Sequence, residues 1–310
     1  MSEVLWSVCI HCMTYNHESY IEDALKGFVM QKTSFPFIAV VIDDCSSDKT
    51  AEIIKRYEDK YPEIIKGIYL PENYYSQGKS KQPFFDQYDS RAKYIALCEG
   101  DDYWVDPLKL QKQVRILEQD SSIMGVVTDS MIVDKQGIIL NRHYSYEIVP
   151  GNIEGRYNLH SFFQSTHHYP TATVLYRNIH YDDVYRMVNH TSSKYLGDWT
   201  LWAILHSFGD FFFLDEVTSA YRINPTSLTH TADRIGRAKA NFTICKSLSE
   251  VLPQEYSHYL KESGWMYFSI FMAYRKAKKY PQMLMYLLWC LIRYPLYTIK
   301  RLCSIAFSHK

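Results

Sequence analysis

The residues of this sequence best suited to chemistry are paired carboxylates. Asp101 and Asp102 follow Glu99 and Gly100 at the end of an apolar run, Ala92–Cys98. Two adjacent charges at a strand end are costly unless water, protons or a cation neutralise them. A hard divalent ion with oxygen ligands would do so, and Mg²⁺ usually keeps substrate phosphates as further ligands. A solvated turn is the plainer reading, since Asp is common in loops. The stiff aromatic continuation Tyr103-Trp104-Val105-Asp106-Pro107 argues against a casual exposed loop. A second pair, Asp43-Asp44, closes the apolar run Phe37–Ile42. One of these could accept hydrogen bonds from a base or ribose; the alternative is a turn, with Ser46, Ser47 and Asp48 serving the next helix. Asp198, in Gly197-Asp198-Trp199, is a lone acid before an apolar helix and reads locally as an N-cap or as a general base. The pair His167-His168 and the lone His230 read as surface histidines on local pattern.

The elements that must position these residues are legible in the first 130 positions. Apolar runs at Leu5–Met13, Phe37–Ile42, Ile64–Leu70, Ala92–Cys98 and Met124–Asp129 have strand length. Helical spacing occupies Tyr20–Met30, Thr50–Tyr61 and Lys109–Gln119 between them. Fully apolar strands alternating with amphipathic helices predict an α/β fold with a mostly parallel sheet covered on both faces. Ligands of such sheets bind beyond the carboxyl ends of the strands. Three of these ends carry polar clusters, Thr14–Asn16, Asp43–Asp48 and Glu99–Asp102. One cluster alone is a turn; three in consecutive units point to a site. Strands are expected at Ala172–Tyr176 and Phe211–Leu214 and a helix at Trp199–Ser207. From Ala238 onward the pattern is helical, over Ala238–Val251, Gln254–Lys278 and Pro281–Arg293.

Composition sets the frame. With 47% hydrophobic and 22% charged residues the chain is not of the disordered class. Its 27 Tyr offer flat amphipathic surface that suits sugars and bases as well as ordinary packing. The net charge is zero but uneven: after Glu262 there are eight Lys or Arg and no carboxylate. A cationic tail that is also strongly apolar fits an anionic membrane surface better than nucleic acid. Met283–Phe307 is interrupted by Arg293, Lys300 and Arg301, and Pro295 would kink any helix, so a membrane span is not expected. Two short helices lying on a lipid surface, or packing on the rest of the chain, are the two readings. Cys9 and Cys12 form a C-x-x-C in a strand, where residues three apart face opposite ways, so no zinc or redox centre is expected from them. Seven cysteines without framework spacing, and no basic, apolar leader, suggest a cytoplasmic protein at the inner face of the membrane.

Three segments in order resemble the family 2 inverting glycosyltransferases of the GT-A fold. They are Ser7-Val8-Cys9-Ile10 with Thr14-Tyr15-Asn16, then Val41–Thr50, then Tyr94–Trp104. The likeness covers residues 4–230 and is common in enzymes of capsule, O-antigen and cell-wall glycan assembly. It implies a catalytic domain at 1–235, leaving a helical, basic extension at 236–310. It implies a nucleotide-sugar donor, a glycan or lipid-linked acceptor, and Mn²⁺ or Mg²⁺ as cofactor. The transferred group would be a hexosyl or N-acetylhexosaminyl unit. Carried over by position, Thr14, Tyr15 and Asp44 would surround the nucleobase with Asp43 nearby, and Asn16 would be among the donor-binding residues. Asp101 and Asp102 match the D-x-D region at the ribose and metal. Lys79, or Lys81 beside it, falls near a basic donor contact, and Asp198 falls where the family places its base. Tyr221-Arg222 and Ser227–His230 resemble the segment that closes over the diphosphate, giving Arg222 a phosphate role and His230 a metal role. Residues 73–92 depart from the family pattern, which leaves the donor contacts of that stretch open. A sugar nucleotidyltransferase would need a Gly-rich basic loop, and residues 11–20 contain no Gly. A non-catalytic sugar-nucleotide-binding scaffold is countered by intact Asp101, Asp102 and Asp198.

Overall fold

In a computed structural model of the chain, the described residues are 5–144, 154–164, 169–179, 198–223, 234–252, 254 and 264–307. They fall into two compact units, one of residues 1–184 with 201–224, the other of residues 185–200 with 225–310.

The first unit is built on one sheet. Its parallel part is β1 (Trp6–Thr14), β2 (Phe37–Asp43), β3 (Ile65–Tyr69) and β4 (Ala92–Leu97), in the order β3-β2-β1-β4. All seven residues of β2 are buried, as a parallel strand covered on both faces requires. Helices α1 (Ile21–Val29), α2 (Thr50–Lys60), α3 (Gln82–Asp89) and α4 (Lys109–Gln119) cover the faces. Side chains of β1 alternate between them. Val8, Ile10 and Cys12 join a core with Leu25 and Phe28 of α1, Ile54 of α2 and Leu110 of α4. Cys9 enters the other core with Val40, Ile42 and Phe85 of α3. The two cysteines of the C-x-x-C thus serve opposite faces. Cys9 shares its face with His11 and Asp89, the ligand atoms of all three lying within 4.8 Å of one another; His11 Nε2 is 2.7 Å from Asp89 Oδ1, and the His11 ring stacks on Phe85.

Beyond β4 the sheet turns mixed, in the order β4-β9-β6-β10-β5. The strands are β5 (Tyr103–Trp104), β6 (Ile123–Val133), β7 (Ile139–Asn141), β8 (Gly155–Tyr157), β9 (Val174–Arg177) and β10 (Asp210–Arg222). β6 and β10 run parallel, and β9 lies antiparallel to β4 and β6. Both β6 and β10 outrun the sequence expectation, because their polar ends pair along the sheet: Ser219 faces Ser130, and Arg222 faces Val133. Helix α5 (Leu159–Gln164) lies in this region and a 3₁₀ turn at Thr171–Thr173 precedes β9, while α6 (Asp198–His206) begins in the second unit and continues into the first.

The second unit is helical: α7 (Arg234–Val251), α8 (Gly264–Lys276), α9 (Tyr280–Arg293) and α10 (Pro295–Phe307). Phe268 and Phe271 of α8 and Cys290 of α9 form its centre, with Met283, Tyr286, Leu287, Tyr297 and Leu302 against them. α9 stops at Tyr294, and Pro295 opens α10 at a position where its missing N–H is not needed. No helix among the described residues is long and apolar enough to cross a membrane.

Candidate functional site

Parallel pairing brings the three polar strand ends together. Thr14 pairs with Asp43, the Asp44 N–H donates to Thr14 O (2.9 Å), and the Gly100 N–H donates to Met13 O (3.0 Å). The first two segments are then zipped side chain to backbone. The Asn16 N–H donates to Ser46 Oγ and the Ser47 N–H to Asn16 Oδ1, both at 2.8 Å. The His17 N–H donates to Thr50 Oγ1 (2.8 Å), the Glu18 N–H to Asp48 Oδ2 (3.0 Å), and the Lys49 N–H to Glu18 Oε2 (3.1 Å). Asp48 Oδ1 also accepts the Thr50 N–H at the first residue of α2 (2.9 Å), one position outside the N-cap, which is Lys49 rather than the expected Ser47 or Asp48. Asn16 and Cys45 carry positive φ, 53° and 63°. Asn tolerates that region, whereas Cys45 holds strain of about 1–3 kcal/mol that the surrounding bonds must sustain.

Asp44 is engaged on both oxygens. It accepts the N–H groups of Tyr74 (2.7 Å) and Tyr75 (3.1 Å) and pairs with Lys81 Nζ at 2.9 Å. Of the two basic candidates, Lys81 therefore sits at the site, while Lys79 pairs with the exposed Glu72. Asp43 is buried and bonded to Ser46; burial pushes its carboxyl up despite those bonds. Tyr15 stands exposed at the end of β1.

The Asp101–Asp102 turn is held from below. Trp104 is 2% exposed, its Nε1–H donates to Ala172 O (2.9 Å), and its ring meets Phe28 edge-on. Removing so buried an indole costs about 3–5 kcal/mol. Arg222 is a buried clamp rather than a free cation. Its N–H donates to Asp102 Oδ1 (2.8 Å), its Nε to Asp101 O (2.8 Å) and its Nη2 to Asp23 Oδ2 (3.0 Å). The guanidinium lies over the rings of Tyr20 and Tyr103. Burial pushes the neighbouring Tyr221 hydroxyl up, with Asp102 adding to it.

His17 joins the clusters, and the sequence reading missed it. Burial lowers its pKa, Asp101, Asp48 and Asp43 act against that, and Arg222 reinforces it. The imidazole is therefore neutral near pH 7. His17 Nδ1 and Thr14 Oγ1 are buried with no hydrogen-bond partner among the described residues. Both flank Gly100: a methyl group there would lie 2.7 Å from Thr14 Oγ1 and 3.0 Å from His17 Nδ1. Buried polar atoms are rarely left unpaired, so two of them beside a carboxylate pair fit a polar ligand. Asp101 and Asp102 supply the hard oxygen donors a divalent ion takes, and a phosphate could complete its coordination. The signal for His17 in the sequence was its place directly after Thr14-Tyr15-Asn16.

Asp198 is the first residue of α6. The residue is exposed by surface area, and desolvation of its carboxyl raises it to about 6. His230, and with it His167 and His168, lies outside the described residues.

A family model described as Glycosyl transferase family 2 matches residues 9–184. TuaG of Bacillus subtilis, provisionally named a teichuronic acid biosynthesis glycosyltransferase, is 30% identical over 118 residues, 37% of this chain and 44% of its own. The chain spans less than half the length of the curated relatives it matches. Among solved structures, Staphylococcus aureus TarS 1-349 in complex with UDP gives a TM-score of 0.56 at 16% identity, over 91% of this chain and 75% of that one. The mannosyltransferase PcManGT from Pyrobaculum calidifontis, in complex with GDP-Man and Mn²⁺, gives 0.54 at 13% identity, over 97% and 79%. At these identities the likeness shows the GT-A fold.

Proposed function

The chain belongs to glycosyl transferase family 2, and from that membership we propose that it moves a sugar, with inversion, from a nucleoside-diphosphate sugar to a hydroxyl of a glycan or lipid-linked acceptor. The observation that carries the donor site is the convergence of Thr14, His17, Asp43 and Asp101 around Gly100. The complexes of TarS with UDP and of PcManGT with GDP-Man and Mn²⁺ support a donor of this class and a divalent ion.

Each residue then has a physical task. Asp101 and Asp102 would hold the ion, which supplies positive charge to the departing diphosphate. Thr14 Oγ1 and neutral His17 offer a donor and an acceptor to the phosphates or ribose. Asp44, already bound to Tyr74, Tyr75 and Lys81, fixes the wall of the nucleobase pocket beside Tyr15. Arg222 holds the metal-binding turn against α1 and places a buried cation beneath it, rather than reaching the phosphates itself. Asp198 takes the proton of the acceptor hydroxyl as it attacks, and a carboxyl titrating near 6 suits a base working near neutral pH.

Calorimetry of UDP and GDP with purified protein tests the donor site. Affinity should fall at least about tenfold on chelation of the divalent ion, and as much in Asp102→Ala. Equal affinity with and without metal, and in the variant, would remove the metal assignment. Product formation from a panel of nucleotide sugars separates the enzyme from a binding protein.

A further inference from the structure

The two apolar faces of α9 have different fates. Met283, Tyr286, Leu287 and Cys290 point into the helical unit's core. Leu284, Met285, Leu288, Trp289 and Ile292 are exposed, at 52%, 57%, 59%, 40% and 81%. At 3.6 residues per turn these five share an arc of about 140° opposite the packed face. α10 repeats the arrangement: Tyr297 and Leu302 pack, while Leu296 is 85% and Ile299 52% exposed. The unit's own core therefore accounts for one apolar face of each helix and leaves most of the other uncovered, with Trp289 at its margin against the rings of Tyr267 and Tyr294. Contiguous exposed apolar side chains of this size mark an interaction surface.

Charge selects the occupant. No carboxylate follows Glu262, and Arg293 at the end of α9 and Lys300 on α10 are exposed cations. A second copy docking through the same face would bring like charges together. A nucleic acid would use the cations but not Leu288, Ile292 and Leu296. Neither helix is long and apolar enough to cross a bilayer. We propose that the outer faces of α9 and α10 form an interfacial docking surface for an anionic lipid bilayer, with the aliphatic side chains among the acyl chains and the cations at the headgroups. The assignment rests on the helical unit alone and is independent of the donor chemistry.

Co-sedimentation of the full chain with phosphatidylcholine vesicles, with and without phosphatidylglycerol, tests it. Binding should favour the anionic vesicles and weaken with added salt. The double variant Leu288→Glu, Ile292→Glu should lose about tenfold or more in partitioning. Arg293→Glu with Lys300→Glu should abolish the preference for phosphatidylglycerol while leaving the apolar face intact. All four positions are exposed, so melting curves should match the parent. A full chain that stays in the supernatant with anionic vesicles at low salt overturns the proposal. So does vesicle binding that Leu288→Glu, Ile292→Glu leaves unchanged. A dimer in sedimentation velocity that the same pair dissolves, without vesicle binding, assigns the face to a second copy instead.

Discussion

Replacing Gly100 by Ala probes the donor site at its tightest point. Gly100 needs no unusual backbone angle; what it lacks is a side chain, in a place where there is no room for one. The added methyl would sit 2.7 Å from both Cβ and Oγ1 of Thr14 and 3.0 Å from His17 Nδ1. Carbon pairs rest at about 3.5–4.0 Å, so the overlap approaches 1 Å. Thr14 is β-branched, buried and fixed in register against Asp43, and His17 is tied to Thr50, so neither yields easily. The Gly100–Asp102 segment must move instead. Overpacking of this kind costs about 1–3 kcal/mol. For a unit of this size that lowers the melting temperature by about 2–12 °C. The larger effect is on function: moving catalytic groups by 1 Å can cost about 100-fold in rate. Gly78→Ala is the control. Gly78 has φ 65° with nothing within 4 Å of an added methyl, so the change costs about 1 kcal/mol in backbone strain without any steric overlap at Thr14, His17 or Gly100. Differential scanning calorimetry and nucleotide titration on both variants decide the matter. If Gly100→Ala binds UDP or GDP and turns over as the parent does, the space above Gly100 is not the phosphate cradle.

Asp198→Asn should keep donor affinity and lower turnover by at least about 100-fold. The parent's rate should fall as pH drops through about 6, where the Asp198 carboxyl takes up its proton, and that limb should vanish in the variant. Lys109 is fully buried, bonded to Gln113 and lying over the Trp104 ring, and burial lowers its pKa to about 7. Its folded pKa lies below its unfolded value of 10.5, so the group costs stability. The cost is absent at high pH, grows as pH falls from 10.5, and is complete below about 7. Lys109→Met should therefore melt higher than the parent at pH 7, and the gap should narrow by pH 10. Arg222→Ala should destabilise by about 1–3 kcal/mol by leaving the carbonyls of Asp101, Asp134 and Lys135 without their donor, since Asp23 is half-exposed and the backbone bond to Asp102 survives; Arg222→Lys should recover charge but not the forked contacts, leaving metal-dependent nucleotide binding weakened. Chemical denaturation and titration read both effects.

What was legible in the sequence was what local pattern encodes. The apolar runs of β1, β2 and β4 and the spacing of α4 appear within a residue or so of their expected limits. α3 was not anticipated, because Gln82–Asp89 carries only Phe84, Phe85 and Tyr88 as apolar residues and follows a Lys-rich turn. β10 continues well beyond Phe211–Leu214, because partners on β6 and β5 satisfy its polar half, and no local pattern records them. The polar clusters were visible as clusters, but not the division of labour within them. Asn16 is bonded to Ser46 and Ser47, and Asp48 to Glu18 and Thr50, so much of that polarity is scaffold. Lys81 rather than Lys79 reaches Asp44, a choice made by the turn at residues 74–78. Arg222 lies far along the chain from Asp101, and its burial beneath the turn follows only from β5 pairing with β10.

The reciprocal bonds between residues 14–18 and 44–50 bear on how such a protein can be recombined. Asn16, His17 and Glu18 are each read by a specific partner in the second segment, and Asp44 in turn dictates the path of Tyr74 and Tyr75. The three stretches therefore form one inheritable cassette, although the chain separates them. A chimera that imports only one from a relative leaves N–H groups facing the wrong acceptors and should melt below either parent. A transplant of 14–18, 43–50 and 73–81 together keeps these pairings internal. Breakpoints for altering donor preference thus belong inside α1, α2 and α3, provided that Asp23, Glu58 and Asp89 stay with their partners Arg222, Lys66 and His11.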